Sequence, residues 1–117
     1  MEFAGVHHVS LNVGDLEQAA RFYTEILGLE ILPRPDFGFP GMWLDAGAQQ
    51  IHLMQVEHHA APGGQHFALR VADLDAAAKE LAAKGVDLRG PFEIPGAGRQ
   101  CFLRDPAGNL IELNQPA

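Results

Sequence analysis

The sequence predicts an α+β fold built from two βαβββ modules. Three observations carry that expectation. Two short apolar strands each hold one metal-type ligand at their centre, Gln50-Ile51-His52-Leu53 and Leu110-Ile111-Glu112-Leu113. Two further strands open the halves with a histidine, Val6-His7-His8-Val9 and Gly64-Gln65-His66-Phe67. The halves also match residue by residue: at an offset of 58, His8, Leu11, Val13, Asp15, Leu16 and Ala19 meet His66, Leu69, Val71, Asp73, Leu74 and Ala77. At an offset of 60, Ile51, His52 and Leu53 meet Ile111, Glu112 and Leu113. Self-similarity at a fixed period marks one supersecondary unit used twice. Neither half is long enough to bury its own sheet face well, so the two are expected to pack together.

The elements follow in order. Residues Gly5–Val13 alternate, with Val9, Leu11 and Val13 on one face and His8, Ser10 and Asn12 on the other. One face is expected on a core and the other on a polar cavity. Asp15 reads as a helix N-cap with Gln18 as capping-box partner. Apolar residues at helical spacing then predict a helix over Leu16–Leu27, stopped by Gly28. A short strand is expected at Leu29–Leu32, ending at Pro33. The run Pro33–Gly41 is too rich in Pro, Gly and Phe for a regular element. Strands follow at Met42–Asp45 and Gln50–Val56, with a turn at Ala46-Gly47-Ala48.

Residues 58–63 read as a linker between modules 1–57 and 64–117, within one domain. The second half repeats the plan. Gln65–Val71 is a strand, Asp73 caps a helix over Leu74–Lys84, and Gly85 ends it. A strand begins at Val86–Leu88, and Gly90-Pro91 and Pro95–Gly98 read as breakers. Arg99–Arg104 and Leu110–Asn114 are strands joined by the turn Asp105-Pro106-Ala107-Gly108-Asn109.

Composition excludes several classes of function. The chain has 117 residues, suited to one compact domain, and a net charge of −7. Such an acid excess disfavours phosphate-backbone binding and anionic membrane surfaces, so neither nucleic acid nor membrane is an expected partner. No apolar run approaches the roughly 18 residues of a membrane span. The N-terminus lacks a basic segment leading into an apolar one, and the single cysteine, Cys101, allows no internal disulfide. Both point to a cytoplasmic protein.

These motifs resemble the vicinal oxygen chelate superfamily, which includes glyoxalase I, extradiol dioxygenases, fosfomycin-modifying enzymes, methylmalonyl-CoA epimerase and bleomycin-binding proteins. The carriers are His8-Val9-Ser10-Leu11-Asn12-Val13, Asp15-Leu16, Phe22-Tyr23, Leu27-Gly28-Leu29 and, above all, Asp105–Leu113. The resemblance implies paired βαβββ modules curled into a half-open cup around a divalent metal. It specifies fold more closely than reaction, because one scaffold hosts many chemistries.

Strand parity places His8, His52, His66 and Glu112 on the cavity side, so these four are the candidate metal ligands. Imidazole and carboxylate donors suit Zn, Ni, Co, Mn or Fe(II). Four protein ligands on an octahedral ion leave two adjacent positions for vicinal oxygens of a small-molecule substrate. Without His52, the set becomes the facial triad of two His and one carboxylate. Glyoxalase I-like relatives carry Glu at the position of His52. Here Glu112 is the only acidic ligand and the candidate catalytic base. His7 has the opposite parity and is expected packed or exposed, and His58 and His59 solvated.

Ser10, Asn12, Gln50, Met54 and Asn114 share the inward parity and are candidate pocket residues. Arg70 and Arg99 either hold a substrate anion or serve as ion-pair or surface charges. Trp43 is expected in the core, and Phe37 and Phe39 in a lid. Cys101 has no sequence neighbour that would activate its thiol.

The resemblance implies lyase or isomerase chemistry through a metal-stabilised enolate or similar oxyanion. The alternatives are an Fe(II) or Mn(II) extradiol-type dioxygenase using His8, His66 and Glu112, a fosfomycin-type thiol transferase, and a non-catalytic drug-binding protein. Relatives of this size imply a homodimer. The two halves either close one cup within a chain or pair with halves of a second chain.

Overall fold

A computed structural model describes all residues, Met1–Ala117. The chain forms two compact units, Met1–Ala60 and Ala61–Ala117. Each carries one βαβββ module and one four-stranded mixed sheet. No helix is long and apolar enough to cross a membrane.

In the first unit, β1 (His8–Val13), β2 (Ile31–Leu32), β3 (Gly41–Ala46) and β4 (Gln49–Gln55) assemble in the order β1-β4-β3-β2. β1 runs parallel to β4, and the other pairs are antiparallel. The parallel pair needs a crossover, which α1 (Leu16–Arg21) supplies. Asp15 caps α1 as expected, its Oδ1 accepting from Gln18 N–H at 3.1 Å. After Arg21 the helix widens into a π-helical segment over Phe22–Ile26, with Leu27 N–H reaching Phe22 O at 3.0 Å. The Thr24 hydroxyl also donates to Ala20 O, at 2.7 Å, in the turn where the helix widens. The wider turn accommodates the successive aromatics Phe22 and Tyr23, both buried.

β2 is shorter than the expected Leu29–Leu32 because Leu29 N–H closes the helix end on Tyr23 O. The core of this unit is Val13, Ala19, Phe22, Tyr23, Leu44, Ile51 and Leu53. β1 alternates as its pattern requires, with His8, Ser10 and Asn12 exposed and Val13 fully buried.

In the second unit, β5 (His66–Arg70), β6 (Arg89–Ile94), β7 (Gly98–Arg104) and β8 (Leu110–Gln115) take the order β5-β8-β7-β6. β5 lies parallel to β8, with α2 (Leu74–Ala83) as the crossover. Asp73 caps α2 through Ala76 N–H at 3.0 Å. Leu74, Leu81, Cys101, Leu103, Ile111 and Leu113 form the core. The expected strand at Val86–Leu88 is displaced to Arg89–Ile94, which runs through Gly90-Pro91. Proline survives there because β6 is an edge strand, and the pairing with β7 shifts register between Arg89 and Phe92.

The two modules share a hydrogen bond made by residues that the repeat aligns, Gln55 with Gln115 and Leu16 with Leu74. Gln55 Oε1 accepts the first helical amide of α1, Leu16 N–H, at 3.0 Å. Gln115 Oε1 accepts the equivalent amide of α2, Leu74 N–H, at 2.7 Å. Each module's last strand thus reaches back to satisfy an orphan donor at its own helix start.

Candidate functional site

The exposed face of the first sheet carries a column of rings. Register sets Trp43 of β3 opposite His52 of β4, and His52 opposite Ser10 of β1. The Trp43 and His52 rings stack with centroids 4.3 Å apart and planes 7° apart. On its other side His52 stacks on His8, at 4.0 Å and 15°. His7, itself exposed, meets His8 edge-on, their Nδ1 atoms 2.9 Å apart. At the far end Phe37 lies 6.0 Å from Trp43, and Phe39 6.0 Å from Phe37.

Trp43 is therefore not a core residue. It is half-buried on the same face as the histidines. Its odd-numbered partners on β3, Gly41 and Asp45, share that face, and the register that sets it against His52 is not legible from one sequence.

His52 is 8% exposed, and its Nε2 pairs with Gln50 Oε1 at 2.8 Å. A carbonyl oxygen only accepts, so this nitrogen carries the proton. Burial lowers the His52 pKa from its ordinary value, and the neighbouring His8, His7 and Arg34 charges lower it further. The ring is thus held neutral, the form that binds metal. Stacked rings aim their in-plane lone pairs side by side, however, so joint ligation by His8 and His52 requires one ring to turn.

The second unit presents a different pair. His66 Nδ1 lies 2.9 Å from the Gly64 carbonyl oxygen, which fixes its proton on Nδ1. The remaining nitrogen, Nε2, faces Glu112 Oε1 at 3.2 Å. Two acceptors at that distance require a proton or a cation between them. Glu112 is 8% exposed, and its second oxygen accepts from Asn114 Nδ2 at 2.8 Å. A backbone carbonyl orienting the imidazole and an amide orienting the carboxylate are the outer-shell partners that metal ligands use. These two donors are oriented as metal ligands are, but neither unit brings three or more His, Cys, Asp or Glu side chains together into a metal-binding group. Phe102, opposite Glu112 on β7, packs edge-on against His66 at 5.4 Å.

Of the pocket candidates, Ser10, Asn12, Gln50 and Met54 share the His8 and His52 face of the first sheet. Arg70 and Asn114 share the His66 and Glu112 face of the second. Arg99 does not. It alternates with Gln100 onto the side of Cys101 and Leu103, and its guanidinium makes two 2.9 Å bonds to Asp75 in the first turn of α2. Its role is an ion pair. His58 is exposed, as expected, but His59 is half-buried with Nε2 shielded from water. Arg34, in the unpatterned run Pro33–Gly41, lies over the Phe37 ring at the far end of the ring column, a position that no sequence pattern signals.

Residues 5–113 match the family model of the Glyoxalase/Bleomycin resistance protein/Dioxygenase superfamily, and the chain belongs to that family. It is 34% identical to a 2-epi-5-epi-valiolone epimerase from an Actinomyces species, over 96% of this chain and 80% of the epimerase. The fold matches a glyoxalase family protein from Bacillus anthracis with a TM-score of 0.91 and 28% identity, covering 100% of this chain and 98% of that one. It also matches TnmS3, an antibiotic binding protein from a Streptomyces species, with a TM-score of 0.86 and 32% identity, over 100% and 99% of the two chains.

Proposed function

We propose that this protein is a divalent-metal-dependent lyase or isomerase acting on a small substrate that offers two vicinal oxygens. The observation that carries the reading is the His66–Glu112 pair, an imidazole nitrogen and a carboxylate oxygen 3.2 Å apart, each side chain oriented by a second partner. His8, His66 and Glu112 would hold the ion, with His52 as a fourth donor once it leaves Gln50. The metal would act as a Lewis acid, polarising the substrate oxygens. When Glu112 leaves the ion to take and return a proton next to a substrate carbonyl, His8, His52 and His66 would hold the metal, and Asn114 would keep the carboxylate aimed. The similarity to a 2-epi-5-epi-valiolone epimerase supports this class. The reading includes a homodimer, to be checked by analytical ultracentrifugation with and without metal.

The test is elemental analysis of untagged protein dialysed against a weak chelator. About one divalent ion per chain is expected, and His66→Ala and Glu112→Ala should lose it while keeping the fold. Full metal retention in both variants would exclude this site.

A second reading has its own observation. Phe37, Trp43, His52 and His8 form a column of aromatic rings on one face of the first sheet, and an antibiotic binding protein is 32% identical. A chain that takes up no metal, even on reconstitution, would favour this non-catalytic binding protein over the enzyme.

A further inference from the structure

Arg34 lies in the loop between β2 and β3, half-buried, with its guanidinium carbon 4.9 Å from the Phe37 ring centroid and 5.0 Å from that of Phe39. Such contacts hold a cation over two aromatic faces. Its Nη2 donates to Phe39 O at 3.2 Å. No carboxylate pairs with it. The nearest acid in sequence, Asp36, is occupied with Gly38 N–H at 2.8 Å. The first unit has one other arginine and no lysine, and that Arg21 is paired with Glu17. An acidic chain has thus left this guanidinium without a counter-ion.

The guanidinium lies close against the start of β3. Gly41 begins β3 without a positive φ, so its backbone does not call for glycine. A Cβ there would lie 2.7 Å from Arg34 Nη2 and 2.6 Å from Leu53 O. Glycine inside a strand weakens it and marks a close approach by another group. Gly41 shares its face with Trp43, so the guanidinium rests on the face that carries His8 and His52.

We infer that Arg34 is the anion-binding residue of this site, and that the substrate carries an oxyanion, a carboxylate or a phosphoryl group, beside the oxygens that chelate the metal. This rests on the metal-dependent reading above for the chelating oxygens, but the anion subsite stands on Arg34 and Gly41. Phe37 and Phe39 hold the guanidinium plane still, so that a fork of N–H donors is set before the anion arrives.

The chain has a single tryptophan, so the indole N–H of Trp43 gives one unambiguous NMR cross-peak. Metal-free wild type and Arg34→Gln would be titrated with sodium phosphate and with sodium acetate, against potassium chloride at matched ionic strength. Zn(II) uptake would be measured in both proteins by calorimetry. A saturable shift of the Trp43 peak is expected in the wild type, weakened at least about tenfold in Arg34→Gln, with zinc uptake unchanged. The tighter of the two anions identifies the group as carboxylate or phosphoryl. Arg34→Lys keeps the charge and loses the fork, and should bind with intermediate affinity; it serves as well if Arg34→Gln does not fold. No saturable shift in the wild type would overturn the inference, as would equal affinity in Arg34→Gln, or loss on Arg70→Gln instead. An Arg34-dependent anion response without zinc uptake would uphold the anion site and defeat the metal reading.

Discussion

Asn114 holds Glu112: its side-chain amide donates to Glu112 Oε2 at 2.8 Å, two residues along the same strand. The contact leaves Oε1 as the oxygen turned to His66. Outer-shell partners of metal ligands are worth roughly 10–100-fold in metal affinity or activity. Asn114→Ala should therefore weaken Zn(II) binding by a factor in that range without altering thermal stability. Calorimetric titration and a melting curve together check it.

His52 gives the folded chain a pH dependence with a definite sign. Its folded pKa lies below 6.5, so between that value and 6.5 the unfolded chain binds more protons than the folded one. Stability contributed by neutral His52 is complete above 6.5 and is lost as pH falls toward the folded pKa. Urea unfolding of wild type and His52→Gln between pH 5 and 8 should show a shallower acid-side loss in the variant. Equal slopes would remove His52 from the account.

The turn before β8 depends on one buried carboxylate. Asp105 is 4% exposed, and its Oδ1 accepts from Ala107 N–H at 2.9 Å and Asn109 N–H at 2.8 Å. Its Oδ2 accepts from Asn109 Nδ2 at 2.9 Å. Asp105→Ala strips partners from buried donors and should cost about 2–3 kcal/mol, read from the shift in denaturant midpoint. Asp105→Asn, which retains one acceptor oxygen, should cost less.

Cys101 is fully buried, and burial raises its thiol pKa. An aromatic disulfide reagent should leave the native chain unmodified at neutral pH and react with one thiol per chain once denaturant is added. Rapid native labelling would contradict the packing of β7.

The Arg99–Asp75 pair separates structural cations from functional ones. Both groups are solvent-accessible enough that the pair adds little to stability. Asp75→Asn should leave zinc uptake and the Arg34-dependent anion response unchanged. A loss of either would return Arg99 to the site.

Much of this organisation was legible in the residues. Alternation in Gly5–Val13 and Gln65–Val71 set His8 and His66 opposite the core, because a strand turns successive side chains to opposite faces. The repeat located both Asp N-caps. What remained hidden depended on register and loops. Trp43 meets His52 only because β3 pairs antiparallel with β4 in one particular alignment. Arg34 takes its place through tertiary contacts to Phe37, Phe39 and the gap at Gly41, none of which has a periodic signature. β6 escaped because Gly90-Pro91 ordinarily breaks a strand, and only an edge position tolerates it.

The two glutamine clamps make each module observable through a single proton. First-turn helix amides usually exchange with solvent freely, since no carbonyl precedes them. Leu16 and Leu74 are exceptions, because Gln55 and Gln115 cover their amides from strands 39 and 41 residues further on. Deuterium can reach either amide only after that strand end lets go. Matching exchange rates at Leu16 and Leu74 would mean that the halves open together. A faster rate at one would name the half that loosens first, and so the half whose candidate ligands are more easily displaced.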